Sequence, residues 1–135
     1  MRVHWTLQHK LGDRVLFSLQ SPAVVDEFSE PLPDITLIRP KADFYTSGHP
    51  RPEDIFLLIE VSDTTLAYDR GRKLRKYAEG DLREVWIVNV KERIIEQFRA
   101  PQASSYSSAR VCRRGEQISI AAFPEVVFEV TELIG

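Results

Sequence analysis

The sequence predicts a mixed α/β domain built on one sheet, with one main helix packed on a face of that sheet. Three observations predict it. Ile55–Ile59 is an unbroken run of five apolar residues, the mark of a buried strand. The stretch SDTTLAYDRGRKLRKYAEG, residues 62–80, follows at once with helical spacing. EVWIVNV and RIIEQFR then read as two strands joined by a short turn at Lys91-Glu92, a hairpin. Strand, helix and strand in succession are the pattern of a sheet with a helix laid on it.

The remaining elements follow in order. Val3, Leu7 and Leu11 recur at i, i+4 and i+8, an amphipathic helix that Gly12 stops. RVLFSL is a strand. QSPAVVDEFSEPLP is extended and turn-rich, with Pro22, Pro31 and Pro33. DITLIRP is a strand that Pro40 closes. Residues 40–53 form a long polar loop, either a plain surface loop or a binding loop. In the central helix Asp63 or Thr64 caps the start and Gly80 the end. Ala67, Leu74 and Ala78 line its apolar face, with Tyr77 at the edge of that face. Two short strands are expected around Gly115, and a strand with a short terminal segment ends the chain.

Length and composition bound the function. The 135 residues suffice for a single domain, residues 1–135. The net charge of −2 argues against a general nucleic-acid coat, so any such binding must use a local patch. No apolar run approaches the roughly 20 residues of a membrane span. The N-terminal residues lack the apolar core of a signal peptide, so a cytoplasmic location is expected. The single cysteine, Cys112, reads as a strand-end packing residue. His4, His9 and His49 have no partner at zinc-ligand spacing.

Chemistry gathers around Glu60, a carboxylate at the end of the most apolar run. An ionised carboxylate is costly to bury without a partner. Pro33-Asp34 opens another predicted strand. Two carboxylates at adjoining strand ends repel, and one is raised in pKa. A divalent cation such as Mg²⁺ removes the repulsion and accepts this ligand set. Bound there it activates water and stabilises charge on a phosphoryl oxygen, and a nearby lysine adds to that. Alternatively, Asp34 is a turn or cap residue and Glu60 pairs with a basic side chain. On the helix, Asp69, Lys73 and Tyr77 are spaced i, i+4 and i+8. Asp69 either makes an exposed ion pair with Lys73 or aims it at the carboxylates. The run RGRKLRK, residues 70–76, holds five basic residues in seven, either a solvated face or a phosphate-contact patch. Gly71 inside this helix costs roughly 1 kcal/mol relative to Ala.

The succession SEPLPDITLIRP, PEDIFLLIEVSDTTLAYDRGRKLRKYAEGDLREVWIVNV, FRAP and AAFPEVVFEV resembles the Uma-two family of restriction-endonuclease-like proteins. That family belongs to the PD-(D/E)xK nuclease superfamily. The resemblance runs from about residue 14 to the C-terminus, and residues 54–90 carry its specific signal. It implies a restriction-endonuclease-like core, a mixed central β-sheet flanked by helices, and a centre that uses Mg²⁺ or Mn²⁺. It implies Asp34 as the first acid, Glu60 as the second, and the Val61 carbonyl as a further metal ligand. Ser62 stands where the wider superfamily has its lysine, and Lys73 takes that place from the helix. Asp69 and Tyr77 match recurrent family positions and are implied, with Ser62, as supporting residues; on the nuclease reading Arg70, Arg72 and Lys76 of the basic run would be the DNA contacts.

The resemblance also implies roughly fifty more residues before the point where this chain begins, so the chain is expected to be N-terminally shortened. A sheet edge left bare by that shortening would favour a homodimer. Two functions follow, a metal-dependent DNA endonuclease and an inactive nucleic-acid-binding or protein-interaction module that keeps the fold. A hydrolase of small phosphate or sugar compounds is a third, with little apolar wall to support it.

Overall fold

The apolar run becomes the centre of the main sheet. The computed structural model describes residues 2–19, 34–41, 48, 50–62 and 67–135, and the side chains of residues 19 and 67–70 fall outside that description. The expected extended segment at 20–33, half of the 40–53 loop (residues 42–47 and 49) and the helix caps Asp63 and Thr64 therefore lie outside the described residues.

Helix α1 (Val3–Leu11) buries Val3, Leu7 and Leu11, and ends where Gly12 takes a φ of +56°. That left-handed turn is cheap only for glycine. Strands β1 (Leu16–Leu19), β2 (Ile35–Ile38) and β3 (Ile55–Ser62) follow. Helix α2 (Ala67–Glu79) crosses over to β4 (Glu84–Asn89), and β5 (Ile94–Gln102) and β6 (Ser105–Arg113) complete the sheet. The six strands lie in sequence order, β1 to β6. Only β3 and β4 run parallel among these neighbours. A parallel pair needs a crossover, which α2 supplies.

Strand alternation divides the core between the two faces. Leu57 and Ile59 pack with α1, Trp86 and Val88 on one face. Ile55 and Leu58 pack with Tyr77, Leu82, Val85 and Ile87 on the other, the α2 face. Tyr77 is therefore not at the helix edge as expected: it is 3% exposed and sits in the packing between α2 and the sheet. The i, i+4 rule that placed Ala78 on the apolar face is correct, but the buried stripe is broad enough to include its neighbour.

The expectation of a single sheet is also corrected. Residues after Gly115 form a separate two-stranded hairpin, β7 (Gln117–Ile120) with β8 (Phe123–Glu129). The cause is β6, which spans nine residues and pairs with β5 rather than turning back onto β7. Gly115, at φ +88°, then turns the chain off the sheet. The hairpin and helix α3 (Val130–Ile134) cover the α1 face, burying Ile118, Ile120, Phe128, Val130 and Leu133 with Cys112. Cys112 is a packing residue, as read, and burial raises its thiol pKa.

Glu84, which opens β4, is a second buried carboxylate that sequence reasoning missed. Its Oε1 accepts from the Ala121 N–H at 2.8 Å. Its Oε2 accepts from Trp86 Nε1 at 2.8 Å and Gln97 Nε2 at 2.9 Å. Arg99 Nε lies 3.1 Å from Oε2 without the alignment of a hydrogen bond. The network pins the β7–β8 turn to the main sheet. No helix among the described residues is long and apolar enough to cross a membrane.

Candidate active site at the end of the central strand

The register of β2 on β3 builds the site. Ile35 pairs with Ile59 in the antiparallel ladder, so the preceding residue, Asp34, falls opposite Glu60. Directly opposed residues share a face. Thr36 opposes Leu58, which belongs to the α2 face, and by alternation Asp34 and Glu60 point that way too. Both carboxylates thus meet under α2, as expected from the sequence.

Asp34 is half-buried, and its Oδ2 accepts the Val61 N–H at 2.6 Å. This bond caps β3 just before β2 begins, a role that the alternative turn-or-cap reading had foreseen. A strand residue directs its N–H and C=O to the same flank, so the Val61 carbonyl shares the side occupied by Asp34.

Glu60 is 6% exposed. Its Oε2 accepts a hydrogen bond from the Tyr77 hydroxyl, and its Oε1 lies 3.4 Å from Lys73 Nζ. Lys73 and Tyr77 are one turn apart on α2, which lets both reach the same carboxylate. Burial pushes the Glu60 pKa up; the Tyr77 bond and the Lys73 charge oppose that rise, and the Asp34 charge adds to it. Burial and the adjacent Glu60 raise Tyr77 well above the usual phenol range. Tyr77 therefore stays a hydrogen-bond donor across the physiological range.

The structure brings together Asp34, Glu60, Val61, Lys73 and Tyr77. Ser62 is half-buried, two residues beyond Glu60 on the same strand face. Arg72 is exposed and Lys76 half-buried on α2. The side chains of Asp69 and Arg70 lie outside the described residues. Sequence spacing undervalued Tyr77, which is a direct partner of Glu60 rather than a peripheral one.

This donor set suits a hard divalent cation. It offers two carboxylates and a backbone carbonyl, all oxygen; burial is the main cause of the raised Glu60 pKa, and the smaller repulsion from Asp34 is the kind a cation removes. Among the described residues no group of three or more His, Cys, Asp or Glu side chains could hold a metal. Mg²⁺ tolerates that, since it keeps several waters and is held by one or two carboxylates plus substrate phosphate.

Comparison with known proteins places this mixed sheet and crossover helix in the restriction-endonuclease-like class. A solved structure of similar fold comes from Anabaena variabilis ATCC 29413 and is described as a "putative nuclease belonging to DUF820". The two superpose with a TM-score of 0.66 at 12% identity, covering 96% of this chain and 74% of that one. The family model Uma2, described as "Putative restriction endonuclease", matches residues 2–131, and the chain belongs to that family. The match takes in α1, which the resemblance starting near residue 14 had left out. No curated protein matches the chain.

Proposed function

We propose that the chain is a divalent-metal-dependent DNA endonuclease. The observation that supports this reading is the meeting of Asp34 and Glu60 on one face with Lys73 Nζ 3.4 Å from Glu60 Oε1. Asp34, Glu60 and the Val61 carbonyl would hold Mg²⁺ or Mn²⁺. Such an ion, when bound, makes water a nucleophile near neutral pH and stabilises charge on the phosphoryl oxygens.

The side chains divide the remaining work. Tyr77 fixes Glu60 through Oε2 and favours its ionised form. Lys73 holds an ammonium at the carboxylate pair, placed to orient the attacking water and to offset negative charge building on the phosphate. Asp34 both anchors the end of β3 and supplies the second carboxylate. Arg70, Arg72 and Lys76 on α2 would meet the flanking phosphates. Ser62 lacks the proton chemistry of a lysine, which leaves that role to Lys73.

The test is nicking of supercoiled plasmid by the purified chain with Mg²⁺, Mn²⁺ or EDTA. Glu60→Ala and Lys73→Ala are run beside it, with circular dichroism to check folding. Metal-dependent nicking that falls by about 100-fold or more in either folded variant supports the reading. No cleavage of DNA at any metal concentration overturns it. Salt-sensitive DNA binding without cleavage would then favour the inactive-module alternative.

A further inference from the structure

We propose that the groove between α2 and the β5–β6 hairpin binds one unpaired nucleotide of a nucleic-acid strand. The proposal rests on the nuclease reading of the neighbouring site and adds the form of substrate. The groove encloses about 330 Å³. That lies at the low end of the ~300–1,000 Å³ of small-molecule clefts, room for one flat group and its sugar. It is on the flank of α2 opposite Lys73 and Tyr77: Gly71, Leu74 and Arg75 share that flank at i, i+3 and i+4.

Its walls are aromatic. The Phe98 and Tyr106 rings stand 6.2 Å apart, tilted by 51°. The Tyr106 hydroxyl is committed to the Leu82 carbonyl at 2.6 Å, so the ring is held in place and its apolar surface faces the groove. Half-buried Leu74 completes the apolar lining, and Ser104 and Ser105 at the hairpin tip add hydroxyls to the rim.

Gly71 points the same way. A mid-helix glycine costs roughly 1 kcal/mol against alanine, and the usual excuse is close packing. Here a Cβ at Gly71 would meet nothing within 4 Å among the described residues. Packing does not require the glycine; its effect is to leave the helix wall of the groove bare.

Charge identifies the occupant as anionic. Of the five basic residues in 70–76, Arg75 lines the groove. Arg75, exposed at the rim, has no hydrogen-bond or ion-pair partner among the described residues. An aromatic wall beside a cationic rim is how single strands are held, with bases stacked and phosphates paired. A base reaches such a wall only when out of the duplex. Phe98 is on the second strand from β3, so the groove and Glu60 lie on opposite flanks of α2, and a strand held in the groove reaches Glu60 by passing over the helix.

The test is fluorescence anisotropy with a fluorescein-labelled oligothymidylate in EDTA at fixed salt, where nothing is cut. Gly71→Leu, which fills the groove from the helix side, and Arg75→Ala should each weaken binding about tenfold. A melting temperature at or above that of the unmodified chain shows that Gly71→Leu is folded. An iododeoxyuridine strand should photocross-link to Phe98 or Tyr106, and a duplex of equal length should compete poorly. Unchanged binding by Gly71→Leu with cross-links elsewhere overturns the proposal. So does thymidine monophosphate binding as tightly as the strand, or Gly71→Leu breaking a dimer of this chain. Groove-dependent binding in a chain that never nicks plasmid upholds the groove and overturns only the nuclease reading; nicking with groove-independent binding does the reverse.

Discussion

Replacing Glu84 with Gln should destabilise the fold by roughly 4 kcal/mol, the sum of a few hydrogen-bond terms. The carboxylate is 1% exposed and faces three hydrogen-bond donors, Ala121 N, Trp86 Nε1 and Gln97 Nε2, with Arg99 Nε 3.1 Å away. A glutamine keeps one oxygen. If it stays with Trp86 and Gln97, the new amide group confronts the Ala121 N–H, and a buried donor left unmade costs ~1–3 kcal/mol. The two surviving bonds fall from charged to neutral acceptors, a loss of ~1 kcal/mol each. The Arg99 side chain is 34% exposed, so the ion pair is screened and adds well under ~1 kcal/mol. Against a typical stability of ~5–15 kcal/mol this is large. Urea unfolding followed by tryptophan fluorescence would measure it as a shifted midpoint at constant slope. A loss below ~1 kcal/mol would refute the reasoning, because it would mean that water reaches the network.

The other predictions concern α2 and Glu60. Gly71→Ala should stabilise the chain by ~1 kcal/mol in the same assay, since the added methyl meets nothing among the described residues. The folded-state pKa of Glu60 is raised above 4.5, so its contribution to stability is largest below pH 4.5 and is lost as pH rises through the folded value. Glu60→Gln should therefore gain on the unmodified chain between pH 4 and pH 8 in thermal melts; a constant difference would count against the burial argument. Mg²⁺ at ten times its Kd should add ~1.4 kcal/mol, about 5 °C in a domain of this size, to the unmodified chain and nothing to Glu60→Gln. Tyr77→Phe removes a bond that favours ionised Glu60, so the acid limb of the nicking profile should move to higher pH, with a greater loss at pH 6 than at pH 8.5.

The sequence carried the parts of the fold that local pattern encodes. Val3, Leu7 and Leu11 specified α1 because one apolar stripe suffices for a helix, and Gly12 stopped it by backbone conformation. The β4–β5 hairpin was legible because its turn is short; Asn89 and Glu92 clamp it through the Glu92 N–H and the Asn89 amide. The partner of β6 was not legible. Ser105–Arg113 is a mostly exposed edge strand with little alternation, and only its long-range pairing with β5 shows where it goes. In the site, the meeting of Asp34 and Glu60 followed from strand ends, but the Asp34 bond to the Val61 N–H depends on where β2 begins. Nor could spacing reveal that Tyr77 turns inward, since i, i+4 logic orders residues along a helix without fixing which rotation buries them.

Glu60 and Glu84 look alike in sequence: each is an acid at one end of an apolar strand, and each is buried. The structure separates them by what surrounds the charge. Glu84 meets two neutral side-chain donors, a backbone N–H and a guanidinium, with no second acid opposite it in the register, where Arg99 stands. Its charge is balanced from within, and it serves the fold by holding two sheets together. Among the described residues Glu60 meets the Tyr77 hydroxyl and, at the long distance of 3.4 Å, the Lys73 ammonium, with Asp34 opposite it in the ladder. Burial raises its pKa, the Asp34 charge adds to that rise against Tyr77 and Lys73, and carboxylate capacity is left facing a second carboxylate. A buried acid of the first kind gains nothing from a cation. One of the second kind gains a ligand partner, relief from repulsion and a charge that stays ionised at neutral pH. Glu84→Gln should therefore cost stability but leave Mg²⁺-induced stabilisation intact at a temperature where the variant is folded. Glu60→Gln should abolish the Mg²⁺ effect while costing little stability. If both variants lost the Mg²⁺ effect, or neither did, charge balance would not be what distinguishes the two sites.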